Sequence, residues 1–253
     1  MKTRMLALLT ALLCLFALSS CAQPTPYELI TDAGEQLSAA NGYEINATVN
    51  MSTTIGGEDM LVTVDMDMKS NGDNYAMDLA VHLSEETDDM EFGVVYADGV
   101  AYVTDGDTKS RFTLTAEQLE EELGVSASFE LPTLTEEQLS DVNLVKEGDS
   151  STFTVTLSGE EVNQFMENMG AVTSMTGMVG EMSFGDMTLV YTFDQDSRLT
   201  SLAADVTVTV DSNGEEMSMD MEMTFDFVNI GTTPTITAPA DAADYTDRTD
   251  ETM

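Results

Sequence analysis

Long stretches of this chain alternate apolar and polar residues with a period of two, a pattern that only strands with one buried face can use. Ile45, Ala47, Val49 and Met51 alternate with Asn46, Thr48 and Asn50. After Gly56-Gly57, Met60, Val62, Val64, Met66 and Met68 alternate with Leu61, Thr63, Asp65 and Asp67. Asn71-Gly72 is a turn signal, and Tyr75, Met77, Leu79, Val81 and Leu83 follow in phase. Further strands are predicted near Met90 to Tyr96, Val100 to Thr104, and around Phe153, Val155 and Leu157. The period returns at Met187, Leu189, Tyr191 and Phe193, then at Leu202, Ala204, Val206, Val208 and Val210. It ends with Met217, Met219, Met221, Met223, Phe225 and Phe227, set between Ser218, Asp220, Glu222, Thr224 and Asp226. Hairpin turns are expected at 194–198 and 211–214. The pattern predicts antiparallel meanders with one apolar and one polar face.

The two meanders align with each other. Placing Gly57-Glu58-Asp59-Met60 on Gly214-Glu215-Glu216-Met217 sets Val49 on Val206, Val62 on Met219, Val64 on Met221 and Met66 on Met223. Two copies of one meander predict a single large curved sheet holding residues 43–104 and 187–230. Helix signals frame it. Thr25 is an N-cap with Pro26 at N1 and Glu28 closing a capping box, and Leu29, Ala33, Leu37 and Ala40 form a stripe that stops at Asn41-Gly42. The repeats 114–119 and 134–139 carry Thr115 with Gln118 and Thr135 with Gln138, and Ser158 to Glu161 is a third such start. Residues 170–185 combine Met175, Met178 and Met182 with glycines, so any helix there is weak.

The first twenty residues stand apart. Lys2 and Arg4 precede a short apolar run, Met5 to Leu18, which reads as a signal peptide (1–20) ending on Leu18-Ser19-Ser20-Cys21. That ending resembles a bacterial lipobox and implies cleavage before Cys21 and acylation of it, followed by a tether (21–26). Cys14 falls in the leader, so packing alone must hold a domain placed on the extracytoplasmic face of the envelope. Lys and Arg total 8 against 47 Asp and Glu. General electrostatics therefore exclude nucleic acid as a partner, and the acyl anchor is the one expected link to the membrane. Past Gly231 the chain reads as an edge segment to about Pro239, and residues 240–253, small and acidic, are expected to form a disordered tail.

No catalytic set emerges. His82 is the single histidine and falls on the polar side of its strand, so neither a His-based dyad nor zinc is expected. Asp105-Gly106-Asp107 and Asp194-Gln195-Asp196 pair carboxylates on turns without the twelve-residue calcium loop, and read as Asx turns. With no Trp, a sugar-stacking hydrolase cleft is also unexpected. The expectation is a protein with no enzymatic activity, no cofactor and no metal.

Cys21, the helix at 27–41, the turn at Asp194 to Arg198 and the ending "NIGTTPTITAP" together resemble the LolA/LppX-like lipoproteins. The likeness covers about residues 27–239 as one domain. It implies an α+β fold: a large curved antiparallel sheet, or incomplete barrel, with helices over its concave apolar face, and binding or carriage of lipids. Cavities in that family are lined by mixed aliphatics and aromatics, whereas this one would be Met-rich. Methionine is flexible and polarizable, and suits a surface that adapts to varied apolar ligands.

The candidate lining is Val62, Val64 and Met66 on one strand, Met77 and Leu79 on the next, and Val206 and Val208 on a third. Met217, Met219, Met221, Met223, Phe225 and Phe227 complete it, with Met175, Met178 and Met182 as a lid over the mouth. The alternative is a surface or sensor lipoprotein with a packed core and an acidic face for a cationic protein.

Overall fold

The computed structural model describes residues 23–55, 58–83, 90–123, 131, 133–168, 181–212 and 215–249. Each alternating stretch forms a strand. The first meander is β1 (Tyr43–Ile55), β2 (Glu58–Ser70), β3 (Tyr75–Leu83), β4 (Met90–Ala97), β5 (Val100–Asp105) and β6 (Thr108–Thr113). The second is β7 (Val145–Glu147), β8 (Ser150–Leu157), β9 (Glu181–Phe193), β10 (Leu199–Ser212) and β11 (Glu215–Ile230), and β12 (Thr246–Asp247) follows. They form one 12-stranded sheet in the order β12-β6-β5-β4-β3-β2-β1-β11-β10-β9-β8-β7. Both meanders thus run outward from a β1–β11 seam, where Val49 opposes Met223 and Met51 opposes Met221. The sheet stays open, with β12 and β7 at its edges. This is the α+β incomplete barrel that the alternation and the LolA/LppX resemblance lead one to expect.

The helices form where capping groups satisfy their first N–H groups. Helix α1 (Pro26–Ala39) has a complete capping box between Thr25 and Glu28. In α2 (Ala116–Leu123) Thr115 and Gln118 bond reciprocally, as do Thr135 and Gln138 in α3 (Glu136–Leu139). At α4 (Gly159–Asn168) the Glu161 carboxylate accepts from the Ser158 N–H and hydroxyl. Leu29, Ile30, Ala33 and Leu37 of α1 bury against β8–β11 and the start of β1. Phe153, Leu189, Tyr191, Phe193 and Leu202 lie in the same cluster. A smaller cluster holds Tyr75, Met77, Val94, Tyr96, Ala101 and Leu119 under α2.

Four local expectations need correction. The tail is ordered to residue 249: Ala242–Asp244 form a 3-10 turn, and β12 pairs in parallel with β6, Thr246 opposite Ser110. Tyr245 is buried, bonded to the Thr104 hydroxyl at 2.9 Å and set edge-on to Tyr102. Lys109 pairs with Asp241 and Arg111 with Asp247, so distant cations hold a segment whose own composition is acidic. Strands β6 and β7 lack a clear apolar alternation and were not anticipated. Residues 231–239, expected as an edge segment, are irregular and cross the lower end of β1 and β2, where Asn71 donates to the Pro234 carbonyl. Lastly, β9 begins at Glu181, so Met182 is a strand residue opposite Val210 and packs against the larger cluster. It is not part of a helical lid.

Candidate hydrophobic ligand site

Register brings the candidate lining together. Across the inner face one row reads Val206, Met221, Met51, Val62 and Leu83, each directly opposite the next. The adjacent row reads Ala204, Met223, Val49, Val64 and Val81. Below it stand Leu202, Phe225, Ala47, Met66 and Leu79, and below those Phe227, Ile45, Met68 and Met77. Met219 opposes Val208, and Met217 opposes Val210. The thirteen lining candidates on strands therefore share one continuous face. Met51, Val81 and Phe92 join the same rows and had the same alternation. What placed them was register, which a period of two does not reveal.

Burial divides this face. Val206, Val208, Phe227 and Met77 are buried within the two clusters. Between them Val62, Val64, Met66, Leu79, Met217, Met219, Met221, Met223 and Phe225 are half-buried. At one end of the band Met60 and Met90 reach 40% and 57% exposure, so the apolar surface continues into solvent. The result is a half-covered apolar band over β11, β1, β2 and β3, flanked by packed core on either side. Met175, Met178 and Cys21 lie outside the described residues. A separate pocket of about 530 Å³ opens at the β7–β8 edge, between Val142, Asn143, Thr152 and Phe153, away from the band.

The opposite face is polar and bonded to itself. Thr48 donates to Asp65 at 2.7 Å, Thr207 to Asp220 at 2.8 Å, Thr63 to Asn50 at 2.9 Å and Asn229 to Glu44 at 2.6 Å. His82 sits there, 3.5 Å from Asp65. Asp194 accepts from the Asp196 and Arg198 N–H groups, the Asx geometry expected of that turn. Among the described residues no cluster of three His, Cys, Asp or Glu could hold a metal.

Shifted carboxylates mark helix starts and the tail. The Thr25 N–H and hydroxyl hold Glu28 below the usual range, and Gln138 with Ser158 does the same for Glu161. Inside the larger cluster, burial pushes the Tyr191 hydroxyl well above the ordinary tyrosine value.

The chain matches the model of DUF6612, a family of unknown function, over residues 25–247. It belongs to that family. No curated protein matches it. Among solved structures, this DUF6612 chain is similar to LprF from Mycobacterium bovis at 15% identity and a TM-score of 0.38, covering 87% of this chain and 100% of that one. It is also similar to the LolA superfamily protein NE2245 from Nitrosomonas europaea, at 9% identity and a TM-score of 0.26, covering 82% and 96%. A putative outer membrane lipoprotein-sorting protein domain from Vibrio parahaemolyticus matches at 12% identity and a TM-score of 0.24, covering 79% and 91%. Among the described residues of this DUF6612 chain, no helix is long and apolar enough to cross a membrane.

Proposed function

We propose that this DUF6612 protein is a non-enzymatic, lipid-anchored envelope protein that binds a hydrophobic ligand on its Met-rich inner face. One observation carries the reading: the half-buried band of Val62, Val64, Met66, Met219, Met221 and Met223 between two closed clusters. Contiguous apolar surface left partly open in this way marks a ligand or partner site. Methionine on successive inward positions keeps the surface able to repack around chains of differing length.

The anchor follows from Cys21, whose acylation would hold the protein at the extracytoplasmic membrane face. Carrying Cys21→Ser, the exported protein should leave the membrane fraction. Retention there would refute the anchor.

The binding test uses the same variant, purified without detergent. Mass spectrometry of its organic extract should find co-purified lipid, and the soluble protein should take up N-phenylnaphthylamine with a rise in fluorescence. A protein free of lipid and unable to bind the dye has a packed core, and its acidic outer face then becomes the surface to examine.

A further inference from the structure

Tyr191 is fully buried, and among the described residues its hydroxyl has no hydrogen-bond partner. Its ring stacks on Phe153 at 5.1 Å, in a set that includes Phe193. Phenylalanine would fill that position equally well, without a polar atom left unsatisfied in an apolar cluster. The hydroxyl therefore lacks an acceptor among the described residues. Tyr191 is continuous with the band: it opposes Leu202, which opposes Phe225, so it stands two strands, about 10 Å, from the half-buried surface. Met221, Met223 and Phe225 pack against the cluster that contains it.

We propose that the Tyr191 hydroxyl is the polar anchor of the ligand site: when the larger cluster opens to admit the ester end of an acyl chain lying along the Met band, the hydroxyl donates a hydrogen bond to its carbonyl oxygen. The inference rests on the ligand-binding reading and sharpens it to a ligand class. An ester is favoured over a free carboxylate because no cation is at hand. The six basic residues beyond the leader all lie outside the cluster, at the surface, with Lys69, Lys109 and Arg111 on the polar face or its edge. A carboxylate brought to Tyr191 would be a buried, unpaired charge, whereas an ester carbonyl needs one donor.

The test compares the Cys21→Ser protein with the same protein carrying Tyr191→Phe. Displacement of N-phenylnaphthylamine by methyl palmitate, hexadecane and palmitic acid at neutral pH gives the affinities. Urea unfolding gives the ligand-free stability. Tyr191→Phe should weaken methyl palmitate about three- to tenfold, the range of one hydrogen bond, and leave hexadecane unchanged. Its ligand-free unfolding midpoint should equal or exceed that of the parent. Equal loss for ester and alkane, no loss for the ester, or a less stable ligand-free variant would each overturn the anchor role. Palmitic acid bound by the parent as tightly as its ester would overturn the ester class. If the parent binds neither dye, alkane nor ester, the ligand-binding reading falls and this inference with it. Alkane binding with no dependence on Tyr191 sinks only the inference.

Discussion

Met221 and Leu189 both face inward, two strands apart in the sheet, yet they stand in different surroundings. Leu189 is 2% exposed within the larger cluster, whereas Met221 is half-buried in the band. Leu189→Ala should therefore cost about 2–5 kcal/mol by leaving a cavity, and Met221→Ala about 1 kcal/mol or less, because solvent or ligand already reaches that site. Urea unfolding of the two variants measures the contrast, and the dye affinity should fall for Met221→Ala alone. Gly42 is a second informative residue. A Cβ there would meet the Thr232 carbonyl at 2.6 Å, the Ser70 carbonyl at 2.7 Å and Pro234 Cδ at 2.8 Å. Two of those neighbours are backbone and cannot swing away, so Gly42→Ala should destabilise by about 1–3 kcal/mol in the same assay. Asn41-Gly42 reads as a helix stop in the sequence. The residue in fact lets the strap after β11 lie against the first two strands, a demand visible only once the fold brings position 232 alongside.

The tail shows what a single element needs to hold its place. Lys109 holds the Asp241 carboxyl below its ordinary range, and Thr249, ahead of Arg111, does so for Asp247. A carboxylate whose pKa is depressed on docking stabilises the docked form above its ordinary pKa near 3.9, and that contribution is lost as pH falls through the lowered value. Lys109 is raised by Asp241, so its contribution persists through neutrality and fades only above the usual lysine value, about 10.4. The segment should thus stay docked from about pH 5 to pH 10 and loosen in acid. Hydrogen exchange at Thr113, whose N–H bonds the Thr249 hydroxyl, should report it. Asp241→Asn together with Asp247→Asn should speed that exchange at pH 7, and the gap between variant and parent should narrow in high salt. Detachment would bare the β6 edge, which makes self-association the visible consequence. None of this was legible beforehand, because the groups that fix 241–249 sit on β5 and β6. The capping boxes were legible, since their partners lie three residues away. The long strands were too, since alternation declares which face is inward. Met182 misled because glycine and methionine around it suggested a weak helix, while its pairing with Val210 decided for strand.

At the scale of the whole molecule, the larger cluster draws α1 and β1 from the start of the domain and β8–β11 from its end. The smaller cluster is confined to β3–β5 and α2. A cut of the hydrophobic contacts at the seam should therefore dissolve the first and spare much of the second. Val49→Asp, which places a charge opposite Met223 and Val64, should shift the unfolding midpoint sharply downward. Near-ultraviolet signals from the stacked Tyr75–Tyr96 pair should outlast the global loss of strand signal. Coincident loss of both would show that the seam governs the entire sheet.

That seam also carries a consequence in time. Tyr43 pairs with Ile230, so the two central strands are among the first and the last parts of the domain to be synthesised. Until the final strand has been made, β1 has no partner on its seam side and leaves an open sheet edge there. Closure of so long a loop is slow compared with forming hairpins. Joining of the seam is therefore expected to come late in folding, and the unjoined edges of β1 and β11 are the place where aggregation would start.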